Sequence, residues 1–219
     1  MATMTLVMGE SGSGKSSSIR TLPANETFLI NVLDKPLPFK GSKSLYTKLT
    51  EEGGNYFASD DAAEIIKKIR YVNIKFPQIK NIVIDDFQYV MANEFMRRAK
   101  ERGFDKFTEI AQNAWSIIKQ ASDCRDDIDF FFLSHTELDA LGRSKCKTIG
   151  KMLDDKITVE GMFTVVLHTI IADGVYKFLT KNDGSHIAKS PMGMFEERYI
   201  DNDLLLVKQK MKDYFDEEK

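Results

Sequence analysis

Short apolar runs alternate with segments of helical periodicity along the first 135 residues of the chain. The apolar runs contain little polar alternation, which is typical of parallel strands buried on both faces, and they lie at residues 4–8, 27–33, 81–85 and 128–133. Helical periodicity predicts helices at residues 16–22, 62–75, 87–102 and 107–124. Alternating strands and helices favour a mainly parallel sheet with helices on both faces, so we predict an α/β fold.

The pattern changes in the last third of the chain. Two apolar runs, at residues 164–171 and 175–181, flank a turn at Asp173 and Gly174 and predict an antiparallel ribbon. Asn202 or Asp203 can cap a terminal helix over residues 204–216, which an acidic tail follows. Residues 34–55 and 136–150 lack periodicity and are predicted as loops, and residues 151–162 are a helix candidate.

Composition favours one ordinary globular unit. With 219 residues, of which 42% are hydrophobic, the chain can bury one substantial core, and we expect a single domain over residues 1–219 in which residues 203–219 form the C-terminal helix and tail. A formal net charge of −2 provides no global basic field for nucleic acid. The two cysteines favour a reducing cytoplasm, and no apolar run approaches the roughly 20 residues needed to span a bilayer.

The first strand opens into a glycine-rich segment with the Walker A spacing G-x-x-x-x-G-K-[ST]. Its residues are Gly9, Glu10, Ser11, Gly12, Ser13, Gly14, Lys15 and Ser16. Glycines let consecutive backbone N–H groups turn around a phosphate, and the following helix presents its positive end to the same charge. Lys15 can reach the β and γ phosphates, and the Ser16 hydroxyl can bind Mg²⁺. We therefore predict that these residues and Ser17 bind ATP with Mg²⁺.

A second motif follows about 70 residues later, where the buried run Ile82, Val83 and Ile84 ends at Asp85 and Asp86. A buried strand that ends in an acid places a carboxylate beside the metal position of a phosphate-binding loop, so Asp85 is the predicted Walker B residue. Asp86 can orient or deprotonate the attacking water, or it can cap the helix that starts there. Both roles stay open for Asp86.

Polar residues also end the apolar strand at residues 128–133. Ser134 and His135 stand where a polar side chain can sense the terminal phosphate, and the alternative is a pair of hydrogen-bonding residues that fix a loop. His168 lies within an apolar strand and is interpreted as a core histidine, because it has no neighbours at metal-ligand spacing.

With both Walker motifs and the Phe-Leu-Ser-His strand end in place, the sequence resembles the RecA-like P-loop ATPases. It is most similar to short bacteriophage ATPases of the Sak type, which are associated with single-strand annealing and recombination. The resemblance implies a RecA-like central sheet, ATP at the carboxyl ends of the strands, homo-oligomers that share nucleotide sites, and loops that bind single-stranded DNA. It further implies phage recombination or replication proteins as partners, in the cytoplasm of a bacterial host.

Two groups of residues receive roles only through this resemblance. Arg143, Lys145 and Lys147 lie where related proteins carry a DNA-binding loop, and such cations would neutralise phosphates without reading bases. Lys189 lies where related ATPases place a cation that reaches the terminal phosphate of a neighbouring subunit. The alternatives are a solvated basic loop and an ordinary surface lysine.

One departure from the family bears on function. RecA-like enzymes usually place a catalytic glutamate after the second strand, whereas the acid that follows the second predicted strand here is an aspartate, Asp34. The leading hypothesis is a Mg²⁺-dependent ATPase that binds single-stranded DNA during phage recombination, by annealing, or during replication. Two alternatives remain: a nucleotide or small-molecule kinase, and a nucleotide-dependent protein-binding switch with little hydrolysis.

Overall fold

A continuous mixed sheet runs through the molecule. The computed structural model describes residues 2–150 and 152–216. Within them the strands are β1 Thr3–Gly9, β2 Thr27–Asn31, β3 Tyr56–Ala58, β4 Asn81–Asp85, β5 Asp129–Leu138, β6 Ser144–Cys146, β7 Val165–Ala172, β8 Val175–Leu179 and β9 Tyr199–Asp201. Their order in the sheet is β3-β2-β4-β5-β1-β7-β8-β9, with β6 paired to β5.

Helices cover both faces of this sheet. The α-helices are α1 Ser42–Leu45, α2 Ala62–Lys75, α3 Gln88–Arg97, α4 Asp105–Ser122 and α5 Leu204–Asp216. On one face, Ile84 and Phe132 pack with apolar residues of α2, α3 and α4. On the other face, Val83 and Leu133 pack with Ile19 and with residues of α5. The predicted α/β fold, with a mainly parallel sheet between helices, is confirmed.

The parallel strands bring the predicted site to one edge of the sheet. Strands β1, β2, β4 and β5 are mutually parallel, and the register places Gly9 beside His135 and Asn31 beside Asp85. Each of these residues lies at or near the carboxyl end of its strand. Since carboxyl ends of parallel strands open together, residues far apart in sequence meet here.

The C-terminal prediction of an antiparallel ribbon and a terminal helix is confirmed. Strand β7 pairs antiparallel with β8, and Asp173 and Gly174 have positive φ values of 52° and 76° in the turn between them. Strand β9 extends the ribbon and had no signal in the sequence pattern. Helix α5 starts after Asp203, whose carboxylate accepts a hydrogen bond from the backbone N–H of Leu206 at 2.9 Å.

The prediction of a surface loop at residues 136–150 is wrong in part, because this segment begins with a β-hairpin. Strand β5 continues to Leu138 and β6 returns antiparallel beside it. Contacts remote in sequence hold the hairpin: the Ser144 hydroxyl lies 2.9 Å from His168 Nε2, and Glu160 Oε1 accepts the N–H of Cys146 at 2.7 Å. His168 Nδ1 lies 3.0 Å from the carbonyl oxygen of Thr169, so both ring nitrogens have partners, as expected of a core histidine.

Other differences concern element lengths. The predicted helix at residues 16–22 is a 3₁₀ helix, Ser16–Thr21, and the predicted helix at residues 87–102 starts at Gln88 and ends at Arg97. The loop predicted at residues 34–55 contains the single turn of α1, and β3 was not predicted. The helix candidate at residues 151–162 is a π-helical turn, Met152–Ile157, followed by the 3₁₀ turn Val159–Met162. Lys151 and the acidic tail at residues 217–219 lie outside the described residues.

None of the described helices combines the length and the apolar character that crossing a membrane requires.

Candidate functional site

The glycine-rich loop, residues 9–16, leaves the carboxyl end of β1 and turns back on itself. Ser13 closes the turn, with its N–H 3.3 Å and its hydroxyl 2.7 Å from the carbonyl oxygen of Glu10. Gly14 has a φ of 96°, a conformation that L side chains rarely adopt. A Cβ at Gly9 would overlap the hydroxyl of Thr169, which lies 2.5 Å from the hydroxyl of Ser13. Both glycines are therefore required by the conformation of this loop.

The backbone amides of the loop are available to an anion. Among residues 2–150 and 152–216, no hydrogen bond is formed by the N–H groups of Gly12, Gly14, Lys15 or Ser16. A run of unpaired backbone N–H groups in a turn forms a concave binding site for phosphate. The helix that follows the loop adds less positive potential to this site than expected, because a 3₁₀ helix of six residues aligns fewer peptide dipoles than an α-helix of several turns.

Lys15 lies across the start of the loop. Its ammonium donates hydrogen bonds to the carbonyl oxygens of Gly9 at 2.8 Å and Glu10 at 2.7 Å, and the side chain is buried. Burial lowers the pKa of Lys15 to about 8, although the charges of Asp85 and Asp86 act in the opposite direction. The ammonium is thus held at the start of the loop, within electrostatic range of the acids that end β4.

Asp85 and Ser16 are in direct contact. The Ser16 hydroxyl donates a hydrogen bond of 2.9 Å to Asp85 Oδ1, across a sequence separation of 69 residues. Burial raises the pKa of Asp85 to about 6, the charge of Asp86 adds to the rise, and the Ser16 hydrogen bond opposes it. A buried carboxylate beside a hydroxyl suits Mg²⁺, which takes one or two protein oxygens and fills its other positions with water and phosphate.

Asp86 belongs to a second cluster. Its φ of 62° lies in the left-handed region, and its carboxylate is 2.6 Å from the ammonium of Lys35 and 3.4 Å from His135 Nε2. Burial would raise the pKa of Asp86, but the contacts with His135 and Lys35 outweigh burial and hold it below its usual value. The N-cap residue of α3 is Phe87, and no side chain of the described residues caps this helix, so the alternative role of Asp86 as a helix cap is wrong.

Lys35 is a site residue that the sequence interpretation missed. The buried amide of Asn31 fixes its backbone, with Nδ2 donating to the Lys35 carbonyl at 2.7 Å and Oδ1 3.3 Å from the Lys35 N–H. Asp34, with a φ of 52°, completes this turn, and its carboxylate accepts a 2.5 Å hydrogen bond from the Tyr56 hydroxyl. The available signal was a lysine four residues after the end of β2, the strand that borders β4.

The structure separates the predicted pair Ser134 and His135. His135 contacts Asp86 and Tyr89, whose ring centroid lies 6.0 Å from its own. Ser134 is fully buried, and its hydroxyl accepts a hydrogen bond from the Cys146 thiol at 3.5 Å. The Ser134 hydroxyl thus faces the β5–β6 hairpin, whereas the imidazole of His135 faces Asp86, because successive residues of a strand point to opposite faces.

The cations of the predicted DNA-binding segment are held close to acids. Arg143 Nε lies 2.8 Å from Asp139 Oδ2, and Lys145 Nζ lies 3.5 Å from Glu137 Oε1. The backbone N–H of Lys147 donates to the carbonyl oxygen of His135. Two of the three cations are thus partly neutralised within the hairpin, which reduces the positive potential that they offer to a nucleic acid.

Lys189 lies away from the glycine-rich loop of its own chain. Its backbone pairs with Val166 near the start of β7, with N···O distances of 2.8 and 2.9 Å, and its side chain is exposed. Glu10, Ser11 and Ser17 are exposed or partly exposed around the loop. The structure therefore brings together Lys15, Ser16, Asp85, Asp86 and His135, with Lys35 added. Among the described residues, no hydrogen bond or ion pair joins the side chains of Ser134 and Lys189 to them.

A cleft of about 490 Å³ opens beside the glycine-rich loop. Glu10, Ser11 and Ser13 form one side, and residues of the β5–β6 hairpin and β7, including Glu137 and His168, form the other. Asp85 and Asp86 do not line it. The cleft can therefore receive a second molecule next to the loop without displacing the acids of β4.

Comparison with known proteins identifies no relatives by sequence: no family model matches the chain, and no curated protein matches it significantly.

Proposed function

We propose that this protein is a Mg²⁺-dependent ATPase of the RecA-like P-loop type, which binds single-stranded DNA and assists phage recombination by annealing, or phage replication. The single observation that carries the ATPase proposal is the hydrogen bond from Ser16 to the buried Asp85, next to a loop with unpaired amides. Walker A and Walker B residues acting on one nucleotide must lie in contact, although 69 residues separate these two in sequence.

Each side chain of the cluster has a distinct task in this proposal. The amides of Gly12, Gly14, Lys15 and Ser16 bind the β-phosphate, and the Lys15 ammonium reaches the β and γ phosphates. Ser16 and Asp85 would hold Mg²⁺, which when bound neutralises phosphate charge and orients the phosphate chain. The geometry supports Asp85 as metal ligand because its carboxylate is buried, accepts a hydrogen bond from Ser16 and has no cation within salt-bridge distance among the described residues.

Hydrolysis would use Asp86 as the base. The oxygen of a water molecule forms a bond to the γ-phosphorus, and Asp86 accepts the proton that this water loses. The bond from the γ-phosphorus to the bridging oxygen breaks, and the electron pair stays with ADP. His135, 3.4 Å from Asp86, is suited to keep the carboxylate oriented while the bond forms. The carboxylate of Asp34 instead accepts a hydrogen bond from the Tyr56 hydroxyl.

Binding of DNA is the part of the proposal that depends most on the resemblance. The β5–β6 hairpin borders the cleft beside the loop, so a strand bound there would touch residues next to the nucleotide. The same resemblance implies a homo-oligomer in which Lys189 would lie near the nucleotide of a neighbouring subunit. The ion pairs of Arg143 and Lys145 predict a modest electrostatic contribution, since each cation must exchange an acid for a phosphate.

The test of this function measures phosphate release with and without single-stranded DNA over a salt series. We expect DNA to stimulate the wild-type rate. The triple variant Arg143→Ala, Lys145→Ala, Lys147→Ala should lose most of the stimulation. Each phosphate contact that is lost reduces the slope of log affinity against log salt by about 0.7, so the slope should become shallower by about 2 or less. Basal hydrolysis should persist.

A matched control removes the same number of charges elsewhere. Lys67, Lys75 and Lys212 are exposed on helices α2 and α5, and their triple alanine variant should retain stimulation by DNA. A wild-type rate that is indifferent to DNA at every salt concentration would remove the DNA proposal and leave the ATPase.

The cleft favours a second candidate, a kinase that transfers phosphate to a nucleotide or another small molecule. Its volume of about 490 Å³ is large enough for a small acceptor, and it directly adjoins Ser11 and Ser13 of the loop. Formation of ADP that increases with an added nucleoside or nucleoside monophosphate, and not with DNA, would favour this candidate. The protein-binding switch is the outcome in which ATP binds and phosphate release stays at background.

A further inference from the structure

The Lys35 ammonium occupies a position that neither Walker motif accounts for. It lies 2.6 Å from Asp86 Oδ2, and Asp86 directly follows Asp85, which Ser16 contacts. The side chain of Lys35 is 55% exposed while that of Asp86 is 4% exposed, so the lysine approaches from the solvent side and covers a buried carboxylate. The acid proposed to activate water is therefore paired with a cation.

The position of Lys35 is set by the fold. The buried Asn31 amide binds both the N–H and the carbonyl of Lys35, and Asp34 adopts a left-handed conformation that forms the turn. Tyr89 borders the ammonium at 6.0 Å from its ring centroid. A fixed backbone with a long, largely exposed side chain keeps the ammonium near the site and lets it change partner at little cost.

We propose that Lys35 recognises the terminal phosphate of a nucleoside triphosphate; this inference rests on the proposed ATPase function. Without nucleotide, its ammonium pairs with Asp86. With a triphosphate in the loop, the ammonium moves to the oxygens of the terminal phosphate, and Asp86 is released towards water. A diphosphate lacks that group, so Lys35 returns to Asp86 after hydrolysis.

Charge explains why the exchange is favourable. The terminal phosphate carries more negative charge than one carboxylate and offers three acceptor oxygens, which an ammonium with three donors can use. Lys15 and Lys35 would then approach the terminal phosphate together. Because Asp86 becomes free only when the terminal phosphate is present, Lys35 would link the availability of the base to the presence of substrate.

The experiment compares the affinities of a non-hydrolysable ATP analogue and of ADP, both with Mg²⁺, in wild type, Lys35→Gln and Lys35→Arg. We expect Lys35→Gln to weaken binding of the triphosphate analogue by about 10- to 100-fold, the range for loss of one hydrogen bond between charged groups, with less than about a 3-fold change for ADP. Lys35→Arg should retain most of the preference. The control Lys43→Gln, at an exposed lysine of α1, should behave as wild type.

A second experiment repeats the Lys35→Gln comparison in an Asp86→Asn protein. It separates recognition of phosphate by Lys35 from simple neutralisation of Asp86. Asp86→Asn removes the competing charge, so it should tighten binding of the triphosphate analogue, and adding Lys35→Gln in that background should still weaken it. If the effect of Lys35→Gln disappears in the Asp86→Asn background, or if both nucleotides lose affinity equally, the inference is overturned. If wild type binds neither nucleotide, the inference and the proposed ATPase both fail.

Discussion

Replacing Lys15 by alanine should weaken the binding of ATP by about 100-fold or more, because each hydrogen bond between charged groups contributes about 1.5–3 kcal/mol and the ammonium reaches two phosphates. Equilibrium titration with a fluorescent ATP analogue measures this change. Among residues 2–150 and 152–216, the hydrogen bonds of the ammonium go to the Gly9 and Glu10 carbonyl oxygens alone, and burial already lowers its pKa to about 8. The variant should therefore fold.

The control for this prediction is Lys40→Ala, at an exposed lysine, which should bind the analogue as wild type does. Thermal unfolding of both variants shows whether a loss of affinity reflects a loss of structure. Equal affinities of wild type and a folded Lys15→Ala protein would remove the glycine-rich loop from the nucleotide site, and the roles of Asp85 and Lys35 would fall with it.

Asp85→Asn should reduce Mg²⁺-dependent ATP hydrolysis by about 100- to 1000-fold, the range found when one preorganised electrostatic group is removed from an active site. The asparagine amide oxygen can still accept the hydrogen bond from Ser16, so the local geometry should persist. The variant loses the negative charge that would hold Mg²⁺. Rates measured over a Mg²⁺ titration should therefore show a weaker dependence on the metal.

The same substitution should stabilise the folded protein at alkaline pH in the absence of Mg²⁺. Burial raises the folded pKa of Asp85 to about 6, above the unfolded value, so above pH 6 the buried charge opposes folding. Its removal should increase the free energy of unfolding by about 1–3 kcal/mol at pH 8, since one pKa unit corresponds to about 1.4 kcal/mol. The gain should diminish as the pH falls from 6 towards 4, where the native carboxyl is protonated.

Asp86→Asn provides the matched control for stability. Contacts with His135 and Lys35 hold the pKa of Asp86 below its usual value, so its charge favours folding at neutral pH and its removal should destabilise the protein. Denaturant unfolding of both variants at pH 8 tests the opposite signs. A destabilised Asp85→Asn protein would contradict the interpretation of Asp85 as a carboxylate that lacks a compensating partner.

Elements specified by local sequence were predictable. Helix α2 has the predicted bounds because Asp61 caps it, accepting a 2.9 Å hydrogen bond from the Glu64 N–H, and because apolar residues follow its period. Strand β4 also has the predicted bounds, since its apolar residues are buried on both faces up to Asp85. The meeting of Ser16 with Asp85 followed from placing Asp85, and the glycine-rich loop that leads to Ser16, at the carboxyl ends of parallel strands.

Features that depend on distant contacts were not predictable in the same way. The β5–β6 hairpin is polar, and its pairing relies on His168 and Glu160, which come later in the chain. Lys35 became a site residue only through the turn that Asn31 and Asp34 build. The separation of Ser134 from His135 could have been predicted from strand periodicity, because the side chain of Ser134 points to the same face as that of Phe132.

Crystallisation of the protein with Mg²⁺ and a non-hydrolysable ATP analogue gives the most direct test of the glycine-rich loop as a polyphosphate site. We expect the oxygens of the β-phosphate at about 3 Å from the backbone nitrogens of Gly14, Lys15 and Ser16, with the metal between the Ser16 hydroxyl and the phosphates on the side of Asp85. A nucleotide bound elsewhere, or a loop without nucleotide at concentrations that saturate binding in solution, would contradict the proposed function.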